Sequence, residues 1–480
     1  MASLVSWRFI SRSINVTAVL AQRGHGRAHA SGGFMWERPA RGPGLSGYAR
    51  ACGVVTAASG TAAAVVHWRI GARARRARRG NMALDLLRER GTPLDRQSFN
   101  WRDLVQVPFS KLDDDAFTRV RVILMNGIEL ESVRFLHSFA RMNRDLRRVL
   151  AQVRRVDHHQ TTVVNWLNPP DQSPLETTIG YEQVAIEITA HVALAEPDPY
   201  LAQVYRFGML EDYDHLYRYA ALLDRLEGKD ANNILQSYTD VTAGRPTAVE
   251  HRAPEDDVRA PYDRRTASGI TKLNALTIMA AEQQTHNYYV NVGPFFTDPV
   301  ARLLYAEIAS IEEQHVTQYE AIIDPEETWL EKWVLHEANE VYNYWSCLQQ
   351  EQNARVKRIW ERFLDYELGQ LHVAIDHLNR IEGRDAAEIL PASLPDPVSH
   401  KSHRQFVRDV LSTEVQLRAV GEDIVDPRVV PESAATIAYR QQMNSAGSPS
   451  EIVAAGYRFT PGTELSRRAE KIDGQKEATP

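Results

Sequence analysis

Two stretches of the sequence share one pattern: Glu182-Gln183 followed by Asp212-Tyr213-Asp214-His215, and Glu282-Gln283 followed by Glu312-Glu313-Gln314-His315. In each copy a lone acid on one predicted helix precedes, by thirty residues, an acid-x-x-His pair on the next helix. Residues three apart are neighbours on a helix surface, so the carboxylate and the imidazole of each pair lie side by side. Two such hairpins facing each other bring four carboxylates and two imidazoles together. The repeat therefore predicts an all-α protein built from paired helical hairpins.

These residue types predict a site for two metal ions. Carboxylates bind hard metal ions, and imidazole suits iron, manganese, zinc and nickel. Glu211 is an alternative to Asp212, because its i, i+4 spacing to His215 also shares a helix face. A buried polar network without metal is the competing interpretation. The candidate ligands are Glu182, Asp212, His215, Glu282, Glu312 and His315.

Three further side chains are expected to support these ligands. Tyr219 and Tyr319 each follow a histidine by one helical turn. We expect each hydroxyl to form a hydrogen bond with a ligand carboxylate, and a redox-active tyrosine is the alternative. His286 lies one turn beyond Glu282 and is either a partner of the ligands or an exposed side chain.

The net charge of −6 is unevenly distributed along the 480 residues. Residues 1–81 contain 13 Arg, no Lys and one acid, so they carry +12 and the remainder carries −18. An acidic body argues against nucleic acid as a partner and makes a membrane an unfavourable one. The chain has 2 Cys, which excludes a disulfide framework, a cysteine zinc site and an iron–sulfur cluster, and we predict a cytoplasmic location.

The Arg-, Ala- and Gly-rich residues 1–81 are predicted to be disordered or not part of the native protein, with Met82 as the true start. An organelle transit peptide is one alternative, because such peptides are rich in Arg and poor in acids. A membrane anchor over the uncharged run 51–68 is the other.

Apolar periodicity predicts the helices. One packing helix is expected from about Asp115 to Val156, with His158 and His159 in a loop after it. A third hairpin carries Glu337 and Glu367-x-x-Gln370, in which Gln stands where the other copies have His, and it is predicted to be structural. The predicted divisions are an N-terminal helical segment (82–170), four helices (171–325) with a crossover loop (236–268), the third, degenerate hairpin (326–390) and a C-terminal helix with a mobile tail (391–480).

Residues 182–320 resemble the ferritin-like superfamily of di-metal carboxylate proteins, which includes rubrerythrins, bacterioferritins and manganese catalases. The resemblance implies a ferritin-like antiparallel four-helix bundle with an additional helical hairpin and flanking helices. It also implies two Fe or two Mn ions, with Fe favoured, held by the six candidate ligands. Asp212 departs from the usual Glu and is shorter by one methylene, the rubredoxin-like Cys pair is absent, and the chain is longer than a storage ferritin.

The predicted function is an oxidoreductase that uses O₂ or peroxide at the di-iron or di-manganese site. Its predicted partners are O₂ or peroxide and a small organic substrate, and assembly as a homodimer is left open. The alternative is a non-catalytic protein that handles or stores iron, or a structural helical protein with a vestigial metal site.

Overall fold

We describe the protein from a computed structural model that covers residues 84–111, 115–391 and 394–460. These residues belong to one unit, His67–Pro480. The expectations for residues 1–81, for the run 51–68 and for the end of the C-terminal tail lie outside the described residues. Within them the chain is mostly helical, with one antiparallel pair of strands, Arg418–Val420 and Asp423–Val425, so the all-α prediction is confirmed. No helix in these ranges is long and apolar enough to cross a membrane.

Eight long helices of the described chain follow one another as four hairpins, and we number them in chain order. They are α1 (Ala116–Met142), α2 (Arg147–Asn165), α3 (Pro174–Ala195), α4 (Pro199–Glu227), α5 (Gly269–Val292), α6 (Pro299–Ala321), α7 (Trp329–Gln350) and α8 (Ala354–Glu382). Shorter α-helices are Trp101–Leu104, Asn232–Leu235, Arg404–Glu414, Ala434–Met443 and Pro449–Ala454. Single 3₁₀ turns are Leu94–Arg96, Thr247–Val249, Pro254–Asp256, Gly293–Phe295, Ala386–Glu388 and Asn444–Ala446.

Local sequence signals explain where the hairpin helices begin and end. Ser173 caps α3 in a capping box with Glu176, and Pro174 fills the first helical position, where no amide proton is needed. Asp198 caps α4 by accepting from the amides of Tyr200 and Leu201, and a proline again follows the cap. Such a cap contributes about 1 kcal/mol. At the other end of α4, Gly228 takes the left-handed conformation that stops the helix (φ 59°).

The single helix expected from Asp115 to Val156 is wrong, because this segment is the hairpin α1–α2. Its chain leaves the helix at Asn143, which has φ −128° and ψ 98°. Neither Pro nor Gly marks the break, and the apolar positions on both sides keep helical spacing, so periodicity alone extends across it. His158 and His159 lie on α2 and not in a loop.

The first helices of the four hairpins pack against one another. Helix α1 contacts α3, α5 and α7, and α5 also contacts α3 and α7. Each second helix packs along its own hairpin partner, and α4 also contacts α6. This packing creates two buried interiors, one among α3 to α6 and another among α1, α2, α7 and α8. Both interiors contain polar side chains.

The connection between α4 and α5 is irregular but deeply buried in places. It lacks long helices and contains two 3₁₀ turns, Thr247–Val249 and Pro254–Asp256. Its side chains Arg245, Glu250 and Arg252 are at most 4% exposed. The predicted crossover loop therefore brings charged groups to the interior among α3 to α6.

The C-terminal region packs on the second and third hairpins. Arg404–Glu414 contacts α4, and Pro449–Ala454 contacts both α4 and α6. The predicted C-terminal helix is Arg404–Glu414, and the first strand, Arg418–Val420, follows it.

Candidate metal centre

The six predicted ligands meet in the interior among α3, α4, α5 and α6. They form two groups in which one ligand atom of each residue lies within 4.8 Å of the others. One group is Asp212, Glu282, Glu312 and His315, and the other is Glu182, His215 and Glu312. All six side chains are at most 1% exposed. Glu312 belongs to both groups, so its carboxylate is placed to join two cation positions.

Asp212, on α4, groups with the three candidate ligands of the hairpin α5–α6 and not with those of its own hairpin. Its Oδ1 is 3.2 Å from Nδ1 of His315 and 4.0 Å from Nδ1 of His215. Asp212 belongs to one of the two ligand groups and not to the other, whereas Glu312 belongs to both. The two copies of the repeat are therefore not equivalent in geometry.

Both histidines present Nδ1 to the ligand cluster and Nε2 to an outer carboxylate. His215 Nε2 lies 2.9 Å from Glu250 Oε2, and His315 Nε2 lies 2.8 Å from Glu211 Oε2. An ionised carboxylate can only accept a hydrogen bond, so each imidazole donates through Nε2 when its outer carboxylate is charged. Metal-binding histidines usually make such a bond with the nitrogen that does not face the metal, because it fixes the ring and its tautomer.

Glu211, the alternative ligand, serves this outer role. Its carboxylate contacts Arg252 Nη2 at 3.1 Å and Arg245 Nη1 at 3.1 Å, both from the connection between α4 and α5. Burial would raise the pKa of Glu211, but Arg252 and the bond from His315 outweigh it and hold the pKa well below its usual value. Glu211 is therefore a carboxylate already neutralised by arginine.

Glu250 was missed by the sequence reasoning. It is fully buried and contacts His215, yet it stands in an irregular segment, where no periodic spacing points to a particular side chain. The only hint in the sequence was a charged loop between two matched hairpins. That pattern does not identify Glu250 among the other charged residues of the loop.

The ligand cluster contains more hydrogen-bond acceptors than donors. Both oxygens of Asp212, both of Glu282, and one each of Glu182 and Glu312 have no hydrogen-bond partner. His315 Nδ1 also has none, although it lies 3.2 Å from Asp212 Oδ1, 3.4 Å from Glu312 Oε2 and 3.6 Å from Glu282 Oε2. Buried acceptors that face one another need a cation between them, either a proton or a metal ion.

The pKa shifts of the cluster residues also indicate that its carboxylates lack compensating positive charge. Burial raises the pKa of Glu182 and of Glu282 well above the usual range, and neighbouring carboxylates add to the shift. Burial would also raise the pKa of Glu312, but the neighbouring imidazoles of His215 and His315 prevail and lower it to about 2. Burial opposes protonation of His215, but Glu250 prevails and raises its pKa well above 6.5. Without metal the cluster retains protons on its imidazoles.

The donor set fits two divalent cations. Four carboxylates carry four negative charges, and two divalent ions carry four positive ones. The carboxylate oxygens and the two Nδ1 atoms are ligand types that Fe and Mn accept. The orphaned atoms of Asp212, Glu282 and His315 provide the unfilled coordination capacity.

The hydrogen bonds expected from Tyr219 and Tyr319 are not formed. Both hydroxyls are buried without a hydrogen-bond partner. The Tyr219 ring packs between Tyr289 and Tyr305, with centroid distances of 5.1 and 4.9 Å. Tyr289, two turns beyond Glu282 on α5, instead donates a hydrogen bond to Oε1 of Glu182 on the other hairpin.

His286 lines a cavity at the surface of the α5–α6 hairpin. The cavity has a volume of about 510 Å³, and its lining includes His286, Tyr289, Tyr305, Arg302 and Glu313. His286 is half-buried, and its Nδ1 has no hydrogen-bond partner. Tyr289 connects this cavity to the ligand cluster through its bond to Glu182.

Comparisons of the chain with protein-family models, with curated proteins and with solved structures found no match. The interpretation of this site therefore depends on its own geometry.

Proposed function

We propose that α3 to α6 form a ferritin-like four-helix bundle with two Fe or two Mn ions, Fe favoured, and that the protein is an oxidoreductase acting with O₂ or peroxide. The observation that carries the proposal is the position of Glu312, which is shared by two ligand groups with one histidine each. A shared carboxylate reduces the repulsion between two nearby cations. The arrangement follows the pattern of one acid from each of two helices and an acid-x-x-His pair from each of two others.

The outer carboxylates support the assignment to metal. Glu250 and Glu211 each orient one histidine through Nε2, and both are fully buried. A buried polar network with no ion would be expected to satisfy its own acceptors, since buried polar atoms are nearly always hydrogen-bonded. The oxygens of Asp212 and Glu282 are not.

The cavity beside Tyr289 supports catalysis on a small organic molecule. Its volume of about 510 Å³ falls within the range of roughly 300 to 1,000 Å³ typical of small-molecule sites. Tyr289 and Tyr305 are each 1% exposed and form the aromatic boundary between the cavity and Glu182. Tyr289 lines the cavity and donates to Glu182, so a substrate there would contact a side chain that is bonded to a candidate ligand.

These contacts give each residue around the candidate centre a role in the proposed reaction. Two redox-active ions, if bound by these residues, would supply two electrons to O₂ or peroxide. Glu312 would hold both ions, His215 and His315 would each hold one, and Glu250 and Glu211 would keep the imidazoles in the required tautomer. Tyr289 orients Glu182 and closes the cavity side.

Turnover tests the proposal. Protein loaded with Fe(II) without oxygen is given O₂ or H₂O₂, and the consumption of each is measured with an electrode. The wild-type chain should consume the oxidant at a rate that the variant His215→Ala, His315→Ala loses. The matched variant His158→Ala, His159→Ala, altered on α2, should retain the rate. Metal binding without consumption of either oxidant would overturn the oxidoreductase and favour the iron-handling alternative.

A further inference from the structure

A second buried cluster of acids lies in the other interior, among α1, α2, α7 and α8. Each of these helices contributes at least one carboxylate, and two glutamines complete the set. The members are Glu129, Asp157, Gln160, Glu337, Glu340, Glu367 and Gln370, all at most 1% exposed. This cluster is separate from the six residues of the candidate metal centre and contains no histidine.

The cluster repeats the acid-x-x-His pattern with glutamine in place of histidine. Asp157 precedes Gln160 on α2, and Glu367 precedes Gln370 on α8. The two hairpins meet at these residues, because Gln160 Nε2 donates to Glu367 Oε1 at 2.6 Å and to Glu129 Oε1 at 3.0 Å. The hairpin α7–α8, predicted from sequence to be structural, therefore faces a second hairpin of the same kind.

Three of the carboxylates have one oxygen held and the other free. Trp333 Nε1 donates to Glu337 Oε1 at 2.7 Å, and Gln370 Nε2 donates to Glu367 Oε1 at 3.0 Å. Tyr344 donates to Glu129 Oε1. The second oxygen of each of these carboxylates has no hydrogen-bond partner. Outer donors that fix ligand carboxylates in this way are a regular feature of metal sites.

The unsatisfied atoms of the cluster are all acceptors. Besides those three oxygens, the carboxamide oxygens of Gln160 and Gln370 and both oxygens of Asp157 and of Glu340 have no hydrogen-bond partner. The two glutamines direct their amide protons to carboxylates, which leaves their carbonyl oxygens unpaired in the same interior. A buried group that lacks a partner costs roughly 1 to 3 kcal/mol, so an accumulation of acceptors calls for a cation.

Neighbouring side chains do not supply that charge. Arg154 acts only on Asp157 among the five acids, and burial still dominates there.

We propose that this second cluster binds a hard divalent cation through oxygen atoms alone. One oxygen each of Glu337, Glu340 and Glu367 lies within 4.8 Å of the others, which defines the position. Gln370, whose Nε2 donates to Glu367, carries a further carbonyl oxygen that has no hydrogen-bond partner. Oxygen-only ligands favour Mn²⁺, Mg²⁺ or Ca²⁺, because imidazole and thiolate donors, which favour the softer metals, are absent from the set. The inference does not depend on the proposed oxidoreductase.

Mn²⁺ binding to the full chain tests the proposal. Two variants are compared. The first carries Glu312→Gln and His315→Ala, which remove the first site, and the second carries these changes together with Glu337→Gln and Glu340→Gln. Equilibrium dialysis should show about one Mn²⁺ per chain lost when the pair is added, since two of its three central ligands lose their charge. Glu131→Gln, on the same helix as Glu129, is the matched control and should leave Mn²⁺ binding unchanged.

Spectroscopy and competition complete the test. Electron spin-echo spectra of this second Mn²⁺ should lack the nitrogen coupling of a bound imidazole, and excess Mg²⁺ or Ca²⁺ should displace the ion, with the stronger competitor identifying the natural occupant. Equal Mn²⁺ content with and without Glu337→Gln, Glu340→Gln would overturn the proposal. An imidazole signal that survives in the Glu312→Gln, His315→Ala, His215→Ala chain would also overturn it. A failure of the first site would appear instead as no effect of the Glu312 and His315 changes on Fe binding.

Discussion

Glu250 lies 2.9 Å from Nε2 of His215, and this contact joins an irregular connection to a histidine of the candidate metal centre. It fixes the imidazole with Nδ1 directed to Glu312, at 3.1 Å. The ligand cluster is therefore not completed by the two hairpins alone.

Glu250→Gln should weaken metal binding without removing a ligand. The amide is neutral and holds the imidazole less firmly, so we expect the affinity for Fe(II) or Mn²⁺ to fall by roughly 10- to 100-fold. Competition with a chelator of known affinity measures the change. Glu255→Gln, an exposed position in the same connection, is the control. Equal affinity in the two variants would contradict the orienting role of Glu250.

Glu312→Gln should affect both cation positions at once, because Glu312 belongs to both ligand groups. We expect Fe content after anaerobic loading to fall from about two per chain to one or none. The neighbouring residue Glu313 is exposed, so Glu313→Gln provides a matched change on the same helix. If Glu312→Gln lowers the Fe content by less than half an ion per chain, the Glu312 carboxylate is not shared between two ions.

Gly369→Ala should destabilise the docking of the N-terminal segment on α8. A methyl group there would overlap with the carbonyl oxygen of Thr92 and lie 2.8 Å from Gln97 Nε2. Overpacking of this kind costs about 1 to 3 kcal/mol, which thermal unfolding detects as a lower Tm. Gly180→Ala on α3, where the nearest atom is 3.2 Å away, should cost less. A larger loss in Gly180→Ala would contradict this account of the close approach.

His191 should make the protein less stable in mild acid. Burial, together with the charges of His403 and Lys401, lowers the pKa of His191 to about 4. An unfolded chain binds a proton at this residue below a pKa of about 6.5, and the folded chain does not, so stability is retained above about 6.5 and lost as the pH falls towards 4. Allowing for partial exposure of the ring, we expect a loss on the order of 1 kcal/mol at pH 5.

Thermal unfolding of His191→Gln against wild type measures this effect. The variant should match wild type at pH 8 and have the higher Tm at pH 5, whereas the exposed His158→Gln should follow wild type at both values. If the fall in Tm from pH 8 to pH 5 is the same in His191→Gln as in wild type, the acid sensitivity comes from other groups.

The all-α fold and the hairpin helices were predictable from sequence because their signals are periodic and their ends are marked by Pro, Gly and capping residues. The break at Asn143 has neither Pro nor Gly, so α1 and α2 were predicted as one helix. That error also hid the second cluster: Glu129 and Asp157 are 28 residues apart and not thirty, and Gln160 replaces the histidine that made the other pairs visible.

The six ligand candidates could be named because spacing on a helix predicts which side chains share a face. The side chains that form hydrogen bonds with those ligands could not be predicted from sequence. Tyr289 reaches Glu182 from the opposite hairpin, and Glu250 reaches His215 from an irregular segment, so both contacts depend on tertiary packing. The choice of metal, the cytoplasmic location and the homodimer stay predictions.

Elemental analysis after anaerobic loading with Fe(II) tests the central claim most directly. Its subjects are the full chain, the variant His215→Ala, His315→Ala, and the control His158→Ala, His159→Ala. We predict about two Fe per chain in wild type and in the control, and a loss of at least one in the variant, because each cation position has one imidazole. Equal Fe content in all three proteins, or none in wild type, would contradict a two-metal centre at these residues.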